Sequence, residues 1–116
     1  GTQTRDFCYV DDVVDALLAA ATATAVNRAV INVGSGREVS INDLAACIAR
    51  ATGQPLNGES HQVNVLHNRG QSGGVSRLVA DVRLARRLLG WEPHTTLEEG
   101  LKLILERDPR FRLDKR

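Results

Sequence analysis

Ahead of the basic tail of this 116-residue chain, five arginines fall outside every amphipathic helix pattern, in strand-end, strand or loop settings: Arg5, Arg28, Arg37, Arg69 and Arg77. A guanidinium so placed presents a planar fork that matches a phosphate with two parallel hydrogen bonds. Taken singly, each is more often a solvated surface charge, and pattern alone does not rank the five. Arg83, Arg86 and Arg87 lie on the outer face of a short helix and need no ligand. The 15 basic and 14 acidic side chains leave a net charge of +1, which argues against nucleic acid or an anionic membrane as a partner.

Groups able to make or break bonds are few. Gly34-Ser35-Gly36-Arg37-Glu38-Val39 follows a strand-like run and precedes a helix, which invites comparison with the dinucleotide fingerprint. Val39 stands where the third glycine belongs, the helix cap comes only at Ser40, and the acidic residue expected about 20 positions later is absent. The stretch is therefore read as a strand-to-helix turn needing positive φ, and no residue is assigned to a cofactor. His61 and His67 lack a helical ligand spacing, and no Cys/His/carboxylate set completes a metal site. Tyr9 is followed at the fourth position by Val13, so a Tyr-x-x-x-Lys proton-transfer pair cannot be made, and no catalytic residue is assigned. Cys8 and Cys47 read as two buried thiols in a reducing cytoplasm.

The elements that must position these residues alternate between the two regular periods. A short opening strand, Arg5 to Val10, leads into a helix to about Ala21 with Val13, Ala16, Leu17 and Ala20 on one face and Asp11 or Asp12 as its cap. Ala29 to Val33 reads as a largely buried strand. Ser40-Ile41-Asn42-Asp43 opens a second helix that stops at Gly53. Gln54 to Gly74 reads as loop around one short strand, Val63 to Leu66, and Val75 to Ala80 as extended. Asp81 starts a short helix ending at Gly90, and Thr96-Leu97-Glu98-Glu99 is a capping box for a last helix stopped by Asp108-Pro109. The fold class is α/β, short strands with about four helices, over residues 1–109, followed by a basic tail, 110–116. No apolar run approaches the roughly 20 residues of a membrane span.

Three strings taken in order are Arg5-Asp6-Phe7-Cys8-Tyr9-Val10-Asp11-Asp12-Val13-Val14, Ile31-Asn32-Val33-Gly34-Ser35-Gly36, and Leu88-Leu89-Gly90-Trp91-Glu92-Pro93 with Leu97-Glu98-Glu99-Gly100-Leu101. Together they resemble the C-terminal third of the NAD-dependent epimerase/dehydratase family, the extended short-chain dehydrogenases acting on nucleotide sugars, over nearly the whole chain. The resemblance implies a small C-terminal portion of an extended Rossmann-type enzyme, with NAD, its Gly-rich loop and the Tyr/Lys pair on an N-terminal domain absent here. The lack of any Met fits a chain cut from something longer. By this resemblance Arg5 approaches the diphosphate of a nucleotide sugar, Arg69 is the better match for a second such arginine, and Arg77 is the alternative. Gly73-Gly74 stands where many members have Gly-Asp, and Leu84 where many have lysine.

The resemblance implies hydride abstraction from the sugar and its return in the parent, a cytoplasmic location, and room for a homodimer. The segment alone is expected to be inactive. Apolar surface normally covered by the other domain is expected to lie open on the first helix and near Val30 to Val33. The competing reading is a free-standing adaptor or regulatory module whose basic tail recruits an acidic partner.

Overall fold

The computed structural model of the chain describes residues 1–24, 26–54, 56, 65–68 and 74–111. They form β1 (Thr4–Arg5), α1 (Val10–Thr22), β2 (Val39–Ser40), α2 (Ile41–Thr52), α3 (Arg83–Leu89), α4 (Leu97–Arg107) and a single 3-10 turn at Pro109–Phe111. The strands β1 and β2 pair antiparallel, Thr4 opposite Ser40 and Arg5 opposite Val39. A third segment lies on the other edge of β1: Arg77 bridges Thr4 in parallel, with the Thr4 amide on the Ser76 carbonyl at 2.9 Å and the Leu78 amide on the Thr4 carbonyl at 3.3 Å. The outcome is a small α/β unit with four helices.

Several elements differ from expectation. The opening strand stops at Arg5 rather than Val10, because the Asp6 side chain draws the backbone of three distant residues toward it and the chain leaves the ladder. Neither Asp11 nor Asp12 caps α1, whose N-cap is Tyr9 with no side-chain bond. Asp11 pairs instead with Arg107 at 2.7 Å, and Asp12 turns inward. Ala29 to Val33 takes no ladder partner among the described residues, and Val30 is 87% exposed. A strand needs a neighbour to accept its amides, and sequence pattern cannot supply one. Of the expected strand at 63–66, residues 63 and 64 lie outside the described residues, and Val65 and Leu66 are irregular. The helix α3 begins at Arg83 rather than Asp81, although the Asp81 carboxylate still accepts from the Arg83 amide at 3.1 Å.

The other helix ends follow their local chemistry. Ser40 accepts from the Asp43 amide at 3.0 Å, while the Asp43 carboxylate takes the Ser40 hydroxyl at 2.6 Å in place of the longer reach of a glutamate. Thr96 and Glu99 form the full reciprocal box. Gly53 and Gly90 end α2 and α3 in the left-handed region, at φ 69° and 62°. Arg110 and Phe111, assigned to the tail, form the 3-10 turn with Pro109, and the Arg110 guanidinium sits on Asp108. Residues 112–116 lie outside the described set.

The core is thin and built largely from small residues. Ala16 of α1 meets Ala85 of α3, Val82 and Trp91, with Ile31, Val33, Ala80 and Leu89 packed around them. Alanine at both helix contacts lets the backbones approach closely. Of the apolar stripe expected on α1, Ala16 is buried but Leu17 is exposed, as are Val10, Val14 and Leu18. No helix of the described residues is long and apolar enough to cross a membrane.

Candidate functional site

The ladder around β1 sets out the two described arginines of the predicted trio. Side chains alternate across a strand, and bridged residues share a face. Thr4 and Arg77 are bridged, and both reach the same oxygen, Oε1 of Glu38: Thr4 donates its hydroxyl at 3.1 Å and Arg77 forms a close charge-assisted bond through Nε. Glu38 belongs to that face because it lies two residues before Ser40, the partner of Thr4. Arg5, one residue beyond Thr4, therefore occupies the opposite face beside Val39. Its Nη1 donates to the Thr4 carbonyl at 2.7 Å, and no carboxylate among the described residues pairs with it. The structure brings Arg5 and Arg77 onto adjacent extended segments but on opposite faces. Arg69 lies outside the described residues.

Asp6 fixes this ladder to the rest of the fold. Its carboxylate accepts the Ser35 amide at 2.7 Å, the Ser35 hydroxyl at 2.6 Å, the Gly36 amide at 3.0 Å and the Ala80 amide at 3.0 Å. Burial would push the carboxyl up, but the bonds from the Ser35 side chain and the three amides together hold it below the ordinary value of 3.8. A Cβ at Gly34 would come within 2.6 Å of the Ala80 Cβ and 2.7 Å of an Asp6 oxygen, so this approach requires glycine. Gly36 turns at φ 67°, as the turn reading of the sequence expects.

The same contacts test the turn as a cofactor loop. A dinucleotide pyrophosphate needs free amides at such a turn. Here the Ser35 and Gly36 amides serve Asp6, and the Arg37 amide serves the Ser35 hydroxyl at 3.2 Å. The 34–37 turn therefore does not fit the pyrophosphate of a dinucleotide.

Asp12 makes a second knot. It is 3% exposed, and its carboxylate accepts from the His94 amide at 3.2 Å, the Thr95 amide at 3.0 Å and the Thr95 hydroxyl at 3.2 Å. The Trp91 indole donates to the Asp12 carbonyl at 2.9 Å. Through these bonds α1 is tied to the loop that launches α4.

Phe7, beyond the end of β1, borders two concavities. One is a cleft of about 440 Å³ between the 34–39 turn, α2 and the start of α4, edged by Arg37, Arg50 and His94 but equally by Glu38, Asp43 and Glu98. The other is an apolar groove of about 450 Å³ floored by residues 6–9 and walled by Leu44, Ile48, Leu101 and Ile104. In the cleft the Arg50 guanidinium donates to Cys47 Sγ at 3.0 Å, and burial pushes that thiol up. Cys47 is buried as expected, Cys8 only half-buried, and both are free. His67 engages Asn42 at 3.1 Å, His61 lies outside the described residues, and no metal-ligating group occurs among the described residues.

Sequence reasoning missed Asp6, Asp12 and Glu38. The partners of Asp6 lie 29, 30 and 74 residues away and those of Asp12 up to 83 away, so no local pattern announces them.

Comparison with known proteins places these residues in a wider setting. Residues 1–104 match the family model described as GDP-mannose 4,6 dehydratase. UDP-glucose 4-epimerase of Mycolicibacterium smegmatis is 37% identical over 106 residues, 91% of this chain and 31% of that protein. UDP-glucuronic acid decarboxylase 3 of Arabidopsis thaliana is 34% identical over 98% of this chain and 30% of its own length. The crystal structure of Thermotoga maritima UDP-glucose 4-epimerase with UDP-glucose superposes with a TM-score of 0.77 at 36% identity, covering 91% of this chain and 31% of that one. UDP-glucuronic acid 4-epimerase of Bacillus cereus, in complex with NAD, gives 0.68 at 31% identity over 88% and 30%. The chain thus spans about three tenths of the length of the relatives it matches.

Proposed function

The chain belongs to the NAD-dependent epimerase/dehydratase family, matched by its GDP-mannose 4,6 dehydratase model, and on that footing we propose that it is the substrate-binding C-terminal portion of a nucleotide-sugar epimerase resembling UDP-glucose 4-epimerase. NAD and the Tyr/Lys pair reside, on this reading, on a preceding Rossmann domain. The observation that carries the reading is the ordered match over residues 1–104 by a chain whose 34–37 turn engages its Ser35, Gly36 and Arg37 amides internally.

The chemistry left to this segment is recognition. Arg5, with no acidic partner among the described residues, meets the diphosphate of the nucleotide sugar, and Arg69 or Arg77 supplies the second guanidinium. Binding energy drawn from these groups, remote from the reacting carbon, orients the sugar for chemistry performed elsewhere. The exposed face of α1 and Val30 lean on the Rossmann domain, which explains apolar side chains left open to water here. A cytoplasmic location fits the two free thiols. The chain alone, given NAD and UDP-glucose, turns nothing over.

The test is a titration of the 116-residue chain with UDP-glucose, followed through arginine Nε–H and backbone amide signals. Saturable shifts at Arg5 and Arg69 are expected. A flat response at both refutes the assignment of diphosphate recognition to this segment.

A further inference from the structure

We propose that Glu38 is a built-in counter-ion that withdraws Arg77 from ligand binding, so that an anionic ligand is met on the Arg5 face of the ladder and not on the Arg77 face. The inference deepens the diphosphate reading and rests on it for its functional meaning, but its physical content stands on the ladder itself.

Two residues from separate segments converge on one carboxylate oxygen of a third. Thr4 of β1 donates to Glu38 Oε1, Arg77 of the parallel segment bonds to the same oxygen, and Glu38 leads directly into β2. The contact therefore stitches both edges of β1 on one face. The hydrogen bond from Arg77 holds the Glu38 carboxyl below its ordinary value of 4.5, so the carboxylate is charged at neutral pH. A phosphate arriving at Arg77 must displace an intramolecular anion and also meets its repulsion. Arg5 imposes no such cost, since its Nη1 bonds only to a neutral carbonyl and the two side chains leave the ladder in opposite directions. Glu38 is accordingly a specificity-determining residue that acts through Arg77.

The experiment compares the native chain with Glu38→Gln, using inorganic pyrophosphate as the probe and the Nε–H signals of Arg5 and Arg77 as readout. Glutamine keeps an oxygen for Thr4 and Arg77 while removing the charge, so the ladder is retained. In the native chain the Arg77 signal stays in place as pyrophosphate is added. In E38Q it moves saturably, while the midpoint of the Arg5 response stays where it is in the native chain, because the two side chains leave the ladder in opposite directions. A native Arg77 signal that follows pyrophosphate, or an E38Q signal that does not, overturns the proposal. Should E38Q not fold, Arg77→Gln decides: unchanged pyrophosphate affinity supports the proposal and a loss of threefold or more refutes it. Failure of the diphosphate reading shows separately, as silence of Arg5 toward UDP-glucose in the native chain.

Discussion

Asp12 and Leu17 stand five residues apart on α1, yet the carboxylate is 3% exposed and the leucine 65%. The inner side of the helix is held by a polar knot and a small-residue contact: Asp12 on the 94–95 loop, its carbonyl under the Trp91 indole, and Ala16 against Ala85. The outer side carries Val10, Val14, Leu17 and Leu18 with little protein against them. The contrast teaches that, within this chain, the face of α1 turned inward is not its more apolar one. Hydrogen bonds to distant backbone amides hold it, because buried donors deprived of the Asp12 carboxylate would each cost about 1–3 kcal/mol.

The contrast can be broken or sharpened by substitution. Trp91→Ala removes the largest side chain of the core cluster and the donor to the Asp12 carbonyl, and should cost about 3–5 kcal/mol in urea unfolding. A cost under about 1 kcal/mol would mean that α1 is held by something other than this knot. Asp6→Ala strips the acceptor from three amides and a hydroxyl, with an expected loss of about 2–3 kcal/mol measured the same way.

The Asp6 knot also predicts a pH dependence. Its carboxyl lies below 3.8 in the folded chain, so the unfolded chain binds more protons as the medium becomes acid. The contribution is complete above the ordinary value of 3.8 and is lost as pH falls through the lower folded value. Urea midpoints taken from pH 6 downward should therefore fall more steeply for the native chain than for Asp6→Asn. Parallel slopes would remove Asp6 as the cause.

Smaller effects complete the series. Thr96→Ala deletes half of the α4 capping box and should cost about 1 kcal/mol. At the other extreme, Leu17→Lys on the outer face should change stability by no more than about 0.5 kcal/mol. A loss beyond about 1 kcal/mol there would show that the face is covered in solution by another copy, which sedimentation would report.

What could be read from residue order was whatever is settled within one turn of helix. The Thr96-Glu99 box, the Ser40 cap and the glycine stops at 53 and 90 all depend on neighbours no more than five positions away. The strand expected at Ala29 to Val33 failed for the opposite reason, since a ladder requires a partner that the pattern of β-branched residues does not contain. Asp12 illustrates the same limit: at the head of a helix it looked like a cap, and only the fold brings residues 94 and 95 to its carboxylate. The resemblance puts Arg5 on the diphosphate and leaves Arg77 as the alternative to Arg69 for the second guanidinium. The alternation of two residues on one short strand separates Arg5 from Arg77.

The chain contains a single tryptophan, and its indole donates to the first turn of α1 from a site that is 4% exposed. Its emission therefore reports the packing of α1 and α3 around the loop before α4, with no competing chromophore of its kind to dilute the signal. A red shift that precedes loss of helical ellipticity would reveal the first helix lifting away as an independent step. Coincident curves would establish that helix and loop come apart together, as one cooperative body.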